Sequence, residues 1–414
     1  MPPDTPPAVD AEADLDADVA IVGAGPAGAA AALAVLAARP GARVVLLDRA
    51  EFPRDKSCGD GVAPQVLDVL ARLGVRGLLD DWPTVDRLEL GYPGEAWLSG
   101  TVARPNYVVP RTVLDARIVE AAVARGARLL QRRVRTLARD GDAVVAAGVR
   151  APVVVGADGA SSAVRTFLSP PGGGHTAIAL RGYAPVRPEL DDAQVIAFDP
   201  EGAWPAYAWS FPIGDGRANV GYGEILPLDG QGPTRRHLTE RLDTLLPGAS
   251  RDGTAWRGHH LPLSTTRWRQ PDGPVLLAGD ALGLVNPLTG EGIHAAVLSG
   301  AYAGLAAAAA LRAGAPASAG RRYRDALRAR YGRHWRHMRL LAAATRRNAP
   351  GAGGREPGGR GRRLVTSALA AGRDQRVFDD LAELGLAEGP LTARAVSGLL
   401  RELLRSPGSR PASP

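Results

Sequence analysis

Residues 19–48 constrain the fold more tightly than any other part of this 414-residue chain. Val19–Val22 is a short apolar run that reads as a buried strand. It leads into Gly23-Ala24-Gly25-Pro26-Ala27-Gly28, and an alanine-rich stretch to about Arg39 then reads as a helix, broken by Pro40-Gly41. Arg43–Leu47 is a second strand, ending at Asp48. The first glycine of such a motif makes the tight turn, the second lets the backbone approach a pyrophosphate, and the third lets helix and strand pack closely. Amides at the helix start meet the phosphate charge. An acid at the end of the second strand, here Asp48, suits an adenosine ribose hydroxyl. The unit is therefore a βαβ dinucleotide site.

Two distant segments bear on which dinucleotide. Gly156-Ala157-Asp158-Gly159 and Gly279-Asp280 each follow an apolar strand, Val153–Val155 and Val275–Ala278. A carboxylate at the second strand end, Asp280, can hold a ribityl hydroxyl. Leu284-Val285-Asn286-Pro287-Leu288-Thr289-Gly290-Glu291-Gly292-Ile293 then opens a long helix, read as Glu291–Arg312. A helix start presents free amides and partial positive charge. Aimed at the N1 and C2 carbonyl edge of an isoalloxazine, it stabilises an anionic reduced flavin. The order and spacing of these segments favour FAD over NAD.

Trp204-Pro205-Ala206-Tyr207-Ala208-Trp209-Ser210-Phe211-Pro212 holds four aromatics in nine residues of a chain that is 5% aromatic. On a strand, Tyr207, Trp209 and Phe211 share one face. Asp215-Gly216 is a hairpin turn joining this strand to Ala218-Asn219-Val220-Gly221-Tyr222-Gly223.

The series GxGxxG, acid, Phe52-Pro53-Arg54-x-Lys56-x-Cys58-Gly59, Arg111, Gly156-Ala157-Asp158-Gly159, Gly279-Asp280 and Asn286–Ile293 resembles the FAD-binding fold of aromatic-hydroxylase flavoproteins. Within that group, Cys58-Gly59-Asp60-Gly61 and Tyr207-x-Trp209-x-Phe211-Pro212 resemble the geranylgeranyl reductase family. The resemblance covers roughly residues 18–345. It implies a flavoenzyme that hydrogenates carbon–carbon double bonds of a prenyl substrate by hydride transfer from flavin N5. By the same resemblance Gly23, Gly25, Gly28 and Asp48 bind the ADP half of FAD, and Arg54 and Arg111 contact the pyrophosphate or adenosine. Asp280 holds the ribityl-pyrophosphate region, and Gly290, Gly292 and Ile293 approach the isoalloxazine. Cys58 and Gly59 lie beside flavin and substrate. Ala27, Arg49, Asp158, Gly159 and Gly279 complete the expected cofactor set. Tyr207, Trp209, Phe211 and Gly221 form the substrate pocket, and Cys58 is the candidate catalytic group. His294 reads as either an acid or a structural histidine. The alternative is an FAD-dependent monooxygenase, a hydroxylase or epoxidase of a specialised metabolite, on the same fold. Related halogenases carry Trp-x-Trp-x-Ile-Pro where this chain has Tyr207 and Phe211 as the outer residues, which argues against halogenation.

The fold class expected is α/β, α+β overall: a Rossmann-like FAD-binding domain, an interleaved antiparallel β-sheet substrate domain and a helical C-terminal region. Residues 18–85, 105–180 and 265–320 are assigned to the first, 86–104 and 181–264 to the second, and 321–405 to the third with a Gly/Pro/Arg linker at 348–361. Residues 1–17 and 406–414 read as disordered tails. Only one dinucleotide fingerprint is present, so the electron donor is external, NAD(P)H or a ferredoxin. The net charge is +7, with arginines dense between Arg321 and Arg376. That segment reads as a solvated helix face whose charge also suits peripheral contact with an anionic membrane. No nucleic-acid motif and no metal-ligand constellation stands out, and the oligomeric state is not encoded in any pattern. Cys58 is the single cysteine, so no intrachain disulfide forms. The N-terminus lacks a basic n-region and an apolar core, and the Ala301–Ala313 run is too short to cross a bilayer. The expected location is the cytoplasm, with at most peripheral membrane contact.

Overall fold

The computed structural model describes residues 14–168, 175–202, 205–227, 232–265, 270–346 and 359–405. In chain order the strands are β1 Leu15–Asp16, β2 Val19–Val22, β3 Val44–Asp48, β4 Gly61–Val62, β5 Thr84–Gly91, β6 Leu98–Val108, β7 Arg128–Gln131, β8 Leu137–Asp140, β9 Ala143–Ala146, β10 Val149–Ala151, β11 Val153–Gly156, β12 Thr176–Pro185, β13 Ala193–Phe198, β14 Tyr207–Pro212, β15 Arg217–Ile225, β16 Thr254–Pro262 and β17 Val275–Leu277. The helices are α1 Pro26–Ala38, α2 Pro64–Arg72, α3 Arg111–Val123, α4 Ala163–Leu168, α5 Arg235–Leu245, α6 Ile293–Arg312, α7 Ala319–Arg346, α8 Gly359–Ala371, α9 Gln375–Leu386 and α10 Ala393–Arg405.

A five-stranded parallel sheet in the order β17-β11-β2-β3-β7 carries the dinucleotide motif. Its central strands are continuous runs of valine, leucine, isoleucine and alanine, as strands covered on both faces require. Helix α1 is buried along nearly its whole length against α6 and α3, which explains why it is built from alanine. Helix α6 spans 20 residues and is apolar enough to cross a bilayer by length and composition, longer than the Ala301–Ala313 run suggests. Most of it is buried against α1 and α7, so its apolar surface is used in the core.

The second sheet has eight strands in the order β16-β12-β15-β14-β13-β5-β6-β4. Its pairings are antiparallel except β13 with β5. The mixed α/β class is as the sequence indicates. The domain borders expected at 86–104 and 181–264 cut through strands: β5 begins at Thr84, β6 runs to Val108, and β12 begins at Thr176. Ladder pairing carries each strand past the expected border.

Residues 1–13 lie outside the described residues, but Leu15 and Asp16 pair with Val149 and Arg150 in a small sheet, β1-β10-β9-β8. The expected N-terminal tail is thus ordered at its inner end, where Asp14 bonds Arg132 at 2.8 Å. Of the expected linker, 348–358 lies outside the described residues and Gly359–Gly361 begins α8; the tail at 406–414 also lies outside. The C-terminal helices dock on the large sheet. Phe378 of α9 is buried with Leu88, Leu98 and Val102 of β5 and β6.

Candidate active site

A cavity of about 1340 Å³ runs from the β2–α1 turn to the C-terminal helices. At its first end Gly23 has φ +95°, and a Cβ at Gly28 would stand 1.8 Å from the Gly23 carbonyl oxygen. Only glycine fits there, so turn and helix are pressed together as a pyrophosphate cradle needs. Asp48 accepts from the amides of Ala24 at 2.9 Å and Ala50 at 3.0 Å, which fixes its carboxylate at the end of β3. Arg54 lies 3.2 Å from Asp115 and 3.8 Å from Asp48. Arg111 grips the same Asp115 with two bonds of 2.6 and 2.8 Å. Both partners of that pair are buried, so Arg111 holds a structural ion pair while also lining the cavity.

At the flavin-type end, Lys56 bonds the Asp280 carboxylate at 3.0 Å. Burial works to raise the Asp280 pKa, yet the Lys56 charge and hydrogen bond hold it below the usual carboxylate value. Gly279 donates its amide to Ser299 Oγ at 2.9 Å and so ties β17 to α6. Asn286 closes the following turn by accepting from Leu288 N at 3.0 Å. Helix α6 starts at Ile293, two residues later than the sequence suggested. The reason is Glu291: its Oε1 accepts the His294 amide at 2.6 Å, capping the helix from within the turn. Burial pushes the Glu291 carboxyl up to about 8, against those amide bonds. His294 is fully buried and does not line the cavity. Asp158 spends its carboxylate on the start of α4, accepting from Ser162 Oγ at 2.5 Å and Ala163 N at 2.7 Å.

The wall opposite is β14. Tyr207, Trp209 and Phe211 stand in a row, with centroids 6.0 Å and 6.5 Å apart, and Phe198 of β13 extends it at 6.4 Å from Tyr207. Trp204 lies outside the described residues. The Tyr207 hydroxyl donates to the Thr289 carbonyl. Trp209 Nε1 donates to Asn219 Oδ1 at 2.8 Å, and Asn219 Nδ2 donates to the Cys58 carbonyl at 2.8 Å and to Asp60 Oδ2 at 2.7 Å. The Cys58-Gly59-Asp60 loop therefore lies directly on the aromatic row. Burial pushes the Cys58 thiol up, partly offset by Arg111, so the group is a thiol at neutral pH.

Most of the residues expected at the site line this one cavity: Gly23, Gly25, Ala27, Asp48, Arg49, Arg54, Cys58, Gly59, Arg111, Asp158, Gly159, Asp280, Gly290, Gly292, Ile293, Tyr207, Trp209 and Phe211. Gly28 and Gly279 stand behind it, holding the turns. Gly221 is also displaced from the expected pocket. It pairs with Trp209 in the ladder, and a Cβ there would stand 2.3 Å from the indole, so it is the seat on which Trp209 lies. Sequence reasoning missed the second arm of the cavity. Leu88, Leu90 and Ile196 of the sheet line it together with Leu341, Ala368 and Ala382 of the C-terminal helices. The signal for that arm in the sequence is the helical C-terminal region expected at 321–405, which names no partner.

A glycine cradle at one end, a lysine-held carboxylate and a helix start at the other, and a cavity joining them fit a flavin dinucleotide. Residues 16–197 match the FAD binding domain family. The chain is 34% identical over 313 residues to a menaquinone reductase of Mycolicibacterium smegmatis, covering 69% of this chain and 75% of that one. It is 34% identical over 318 residues to digeranylgeranylglycerophospholipid reductase 1 of Methanopyrus kandleri, covering 72% and 82%. Among solved structures, a geranylgeranyl bacteriochlorophyll reductase-like protein of Thermoplasma acidophilum shares the fold over 94% of this chain and 96% of its own, with a TM-score of 0.68 at 19% identity. A flavin-dependent brominase shares it with a TM-score of 0.66 at 18% identity, over 95% of this chain and all of that one. Fold and site define an FAD-dependent oxidoreductase. More narrowly, the chain belongs to the geranylgeranyl reductase family.

Proposed function

We propose that this protein is a reductase of carbon–carbon double bonds in a prenyl chain, of the kind borne by polyprenyl quinones and geranylgeranyl lipids. The observation that carries this reading is the continuity of the cavity. A polar arm that fits FAD passes the aromatic row and becomes an arm lined by leucine, alanine and phenylalanine. An isoprenoid needs such a long apolar groove with few polar contacts.

In this reading Gly23, Gly25, Ala27, Gly28, Asp48, Arg49 and Arg54 hold the ADP half of the cofactor. Asp158, Gly159, Gly279, Asp280, Gly290, Gly292 and Ile293 hold the ribityl and ring half. When bound and reduced, the flavin supplies a hydride to one alkene carbon. The chain does the rest. Tyr207, Trp209 and Phe211 hold the prenyl segment flat and keep water out, Trp209 being 5% exposed. Cys58, which lines the cavity and is held protonated by burial, gives the proton to the other carbon.

NAD(P)H binding transiently, or a ferredoxin meeting the arginine-rich face, serves as electron donor. Exposed Leu340 and Leu400 are sequence neighbours of cavity-lining Leu341 and Leu399, and exposed Leu404 lies further along α10, which supports peripheral contact with a membrane at the apolar end. The test is anaerobic. Enzyme reduced chemically and freed of oxygen is mixed with a prenylated quinone or geranylgeranyl lipid, and flavin absorbance is followed. Reoxidation by the prenyl compound alone is expected. A flavin that stays reduced until oxygen is admitted contradicts the proposal and favours monooxygenation.

A further inference from the structure

Asp60 is fully buried, yet it is a wall residue of the cavity and sits at φ +61°. Its Oδ2 accepts from the Tyr183 hydroxyl at 2.5 Å and from Asn219 Nδ2 at 2.7 Å. Among the described residues its Oδ1 has no partner. An orphaned buried carboxylate oxygen is costly, and one proton on it relieves the cost. Tyr183 leads outward: its ring lies under the guanidinium of Arg217, a half-exposed side chain, with the centroid 5.7 Å away. Buried Arg181 also lies over this ring, at 4.6 Å. Inward, Cys58 lines the same cavity wall two residues before Asp60, and the charges of Asp60 and Arg111 both act on its thiol. The charged and titratable groups facing Asp60 are thus Tyr183 and Arg181 from β12, Arg111 from α3, and Cys58 from its own loop. Asn219 from β15 is its remaining polar neighbour.

We propose that Asp60 is a positioning residue that stores the proton of the reduction, loaded from solvent through Tyr183 and delivered to substrate through Cys58. This rests on the reading of the site as a double-bond reductase. The alkene carbon gains a proton from the Cys58 S–H as the π bond breaks, and the other carbon gains the hydride of the reduced flavin. The thiolate left behind takes the proton of the Asp60 carboxyl, and the Asp60 carboxylate takes one from water by way of Tyr183. Burial raises the Asp60 carboxyl to about 6, against the Tyr183 and Asn219 bonds, while burial pushes the thiol above its ordinary value. Transfer from Asp60 to the thiolate therefore runs downhill.

The test compares the wild type with Asp60→Asn and Tyr183→Phe, all loaded with FAD. Asparagine tolerates the left-handed backbone at this position and keeps an oxygen for Tyr183, so the fold is retained. Infrared difference spectra of the oxidised, substrate-free enzyme are recorded from pH 5 to 8. The carbonyl stretch of a protonated carboxyl is expected to fade as pH rises through about 6, to be missing in Asp60→Asn and to be displaced in Tyr183→Phe. In single turnover, reduction by the wild type should slow about tenfold per pH unit above that midpoint, and Asp60→Asn should lose the pH step and about a hundredfold in rate. Absence of the band, or an Asp60→Asn rate and pH profile equal to the wild type, overturns the proposal. If the wild type turns over no prenyl compound, the reductase reading fails by itself, while the infrared band still decides whether Asp60 holds the proton.

Discussion

The Tyr207 hydroxyl donates to the backbone carbonyl of Thr289, across 82 positions of sequence. One bond thus fixes the aromatic strand to the turn that opens α6, and so sets the gap between the aromatic wall and that turn. A Cβ at the next residue, Gly290, would stand 3.0 Å from the same hydroxyl, which shows how closely the two elements meet.

Tyr207→Phe keeps the ring and removes the anchor. A lost hydrogen bond of this kind costs about 1 kcal/mol, so the rate of flavin reoxidation by a prenyl substrate should fall about fivefold with FAD content unchanged. Stopped-flow absorbance after anaerobic mixing reads both quantities. An unchanged rate would show that the gap is set by other contacts.

Gly28→Ala places a methyl where the Gly23 carbonyl oxygen lies at 1.8 Å. Turn and helix must separate, and the purified protein should be colourless. Thermal unfolding with and without added FAD completes the check: the wild type should gain stability with the cofactor and the variant should gain none. Retention of a stoichiometric flavin by Gly28→Ala would sink the assignment of this turn as the pyrophosphate cradle.

Much of this site is readable from sequence because its determinants are local. The strand, the glycine spacing, the helix and Asp48 fall within one βαβ unit, and steric rules tie each glycine to its place. The aromatic row is readable because side chains alternate on a strand. The Asp60 cluster is not readable in the same way. Tyr183 and Asn219 reach it from 123 and 159 positions away, and only the β12–β15 register, which pairs them, brings both hydroxyl and amide to one carboxylate. The apolar arm is hidden for a related reason. The pattern of α8 to α10 announces amphipathic helices without saying that their inner faces roof a cavity over β5 and β13.

That roof offers a graded test. Ala368 and Ala382 line the apolar arm, and phenylalanine at either position fills part of it. Ala368→Phe and Ala382→Phe should raise KM for a long prenyl substrate at least tenfold, roughly the 1–3 kcal/mol attached to overfilling a packed site, while a short one-unit or two-unit prenyl compound is turned over as before. Equal effects on long and short substrates would mean that the chain does not extend under the helices.

His294 predicts a pH effect on stability. It is fully buried, neither ring nitrogen has a hydrogen-bond partner among the described residues, and burial lowers its pKa to about 4 from an ordinary 6.5. The unfolded chain therefore takes up the proton first on acidification. Stability owed to this group is present above pH 6.5 and is lost as pH falls through that value toward about 4. By pH 5 the loss should be about 2 kcal/mol. Asp60 and Glu291 act with the opposite sign, because their raised values favour the folded state on acidification. Comparing His294→Leu with the wild type by urea unfolding at pH 5 and pH 7 cancels those terms. The variant should lose less stability between the two, by about 2 kcal/mol; an identical loss contradicts the assignment.

The central claim is that this site adds hydrogen across an alkene, and product mass tests it most directly. Reduced enzyme is given a prenylated quinone or geranylgeranyl lipid under limited oxygen, and the extracted lipid is weighed by mass spectrometry. The expected product is heavier by two hydrogens for each bond reduced, with no peroxide released. A product heavier by one oxygen, or an unchanged lipid accompanied by substrate-stimulated peroxide, contradicts it.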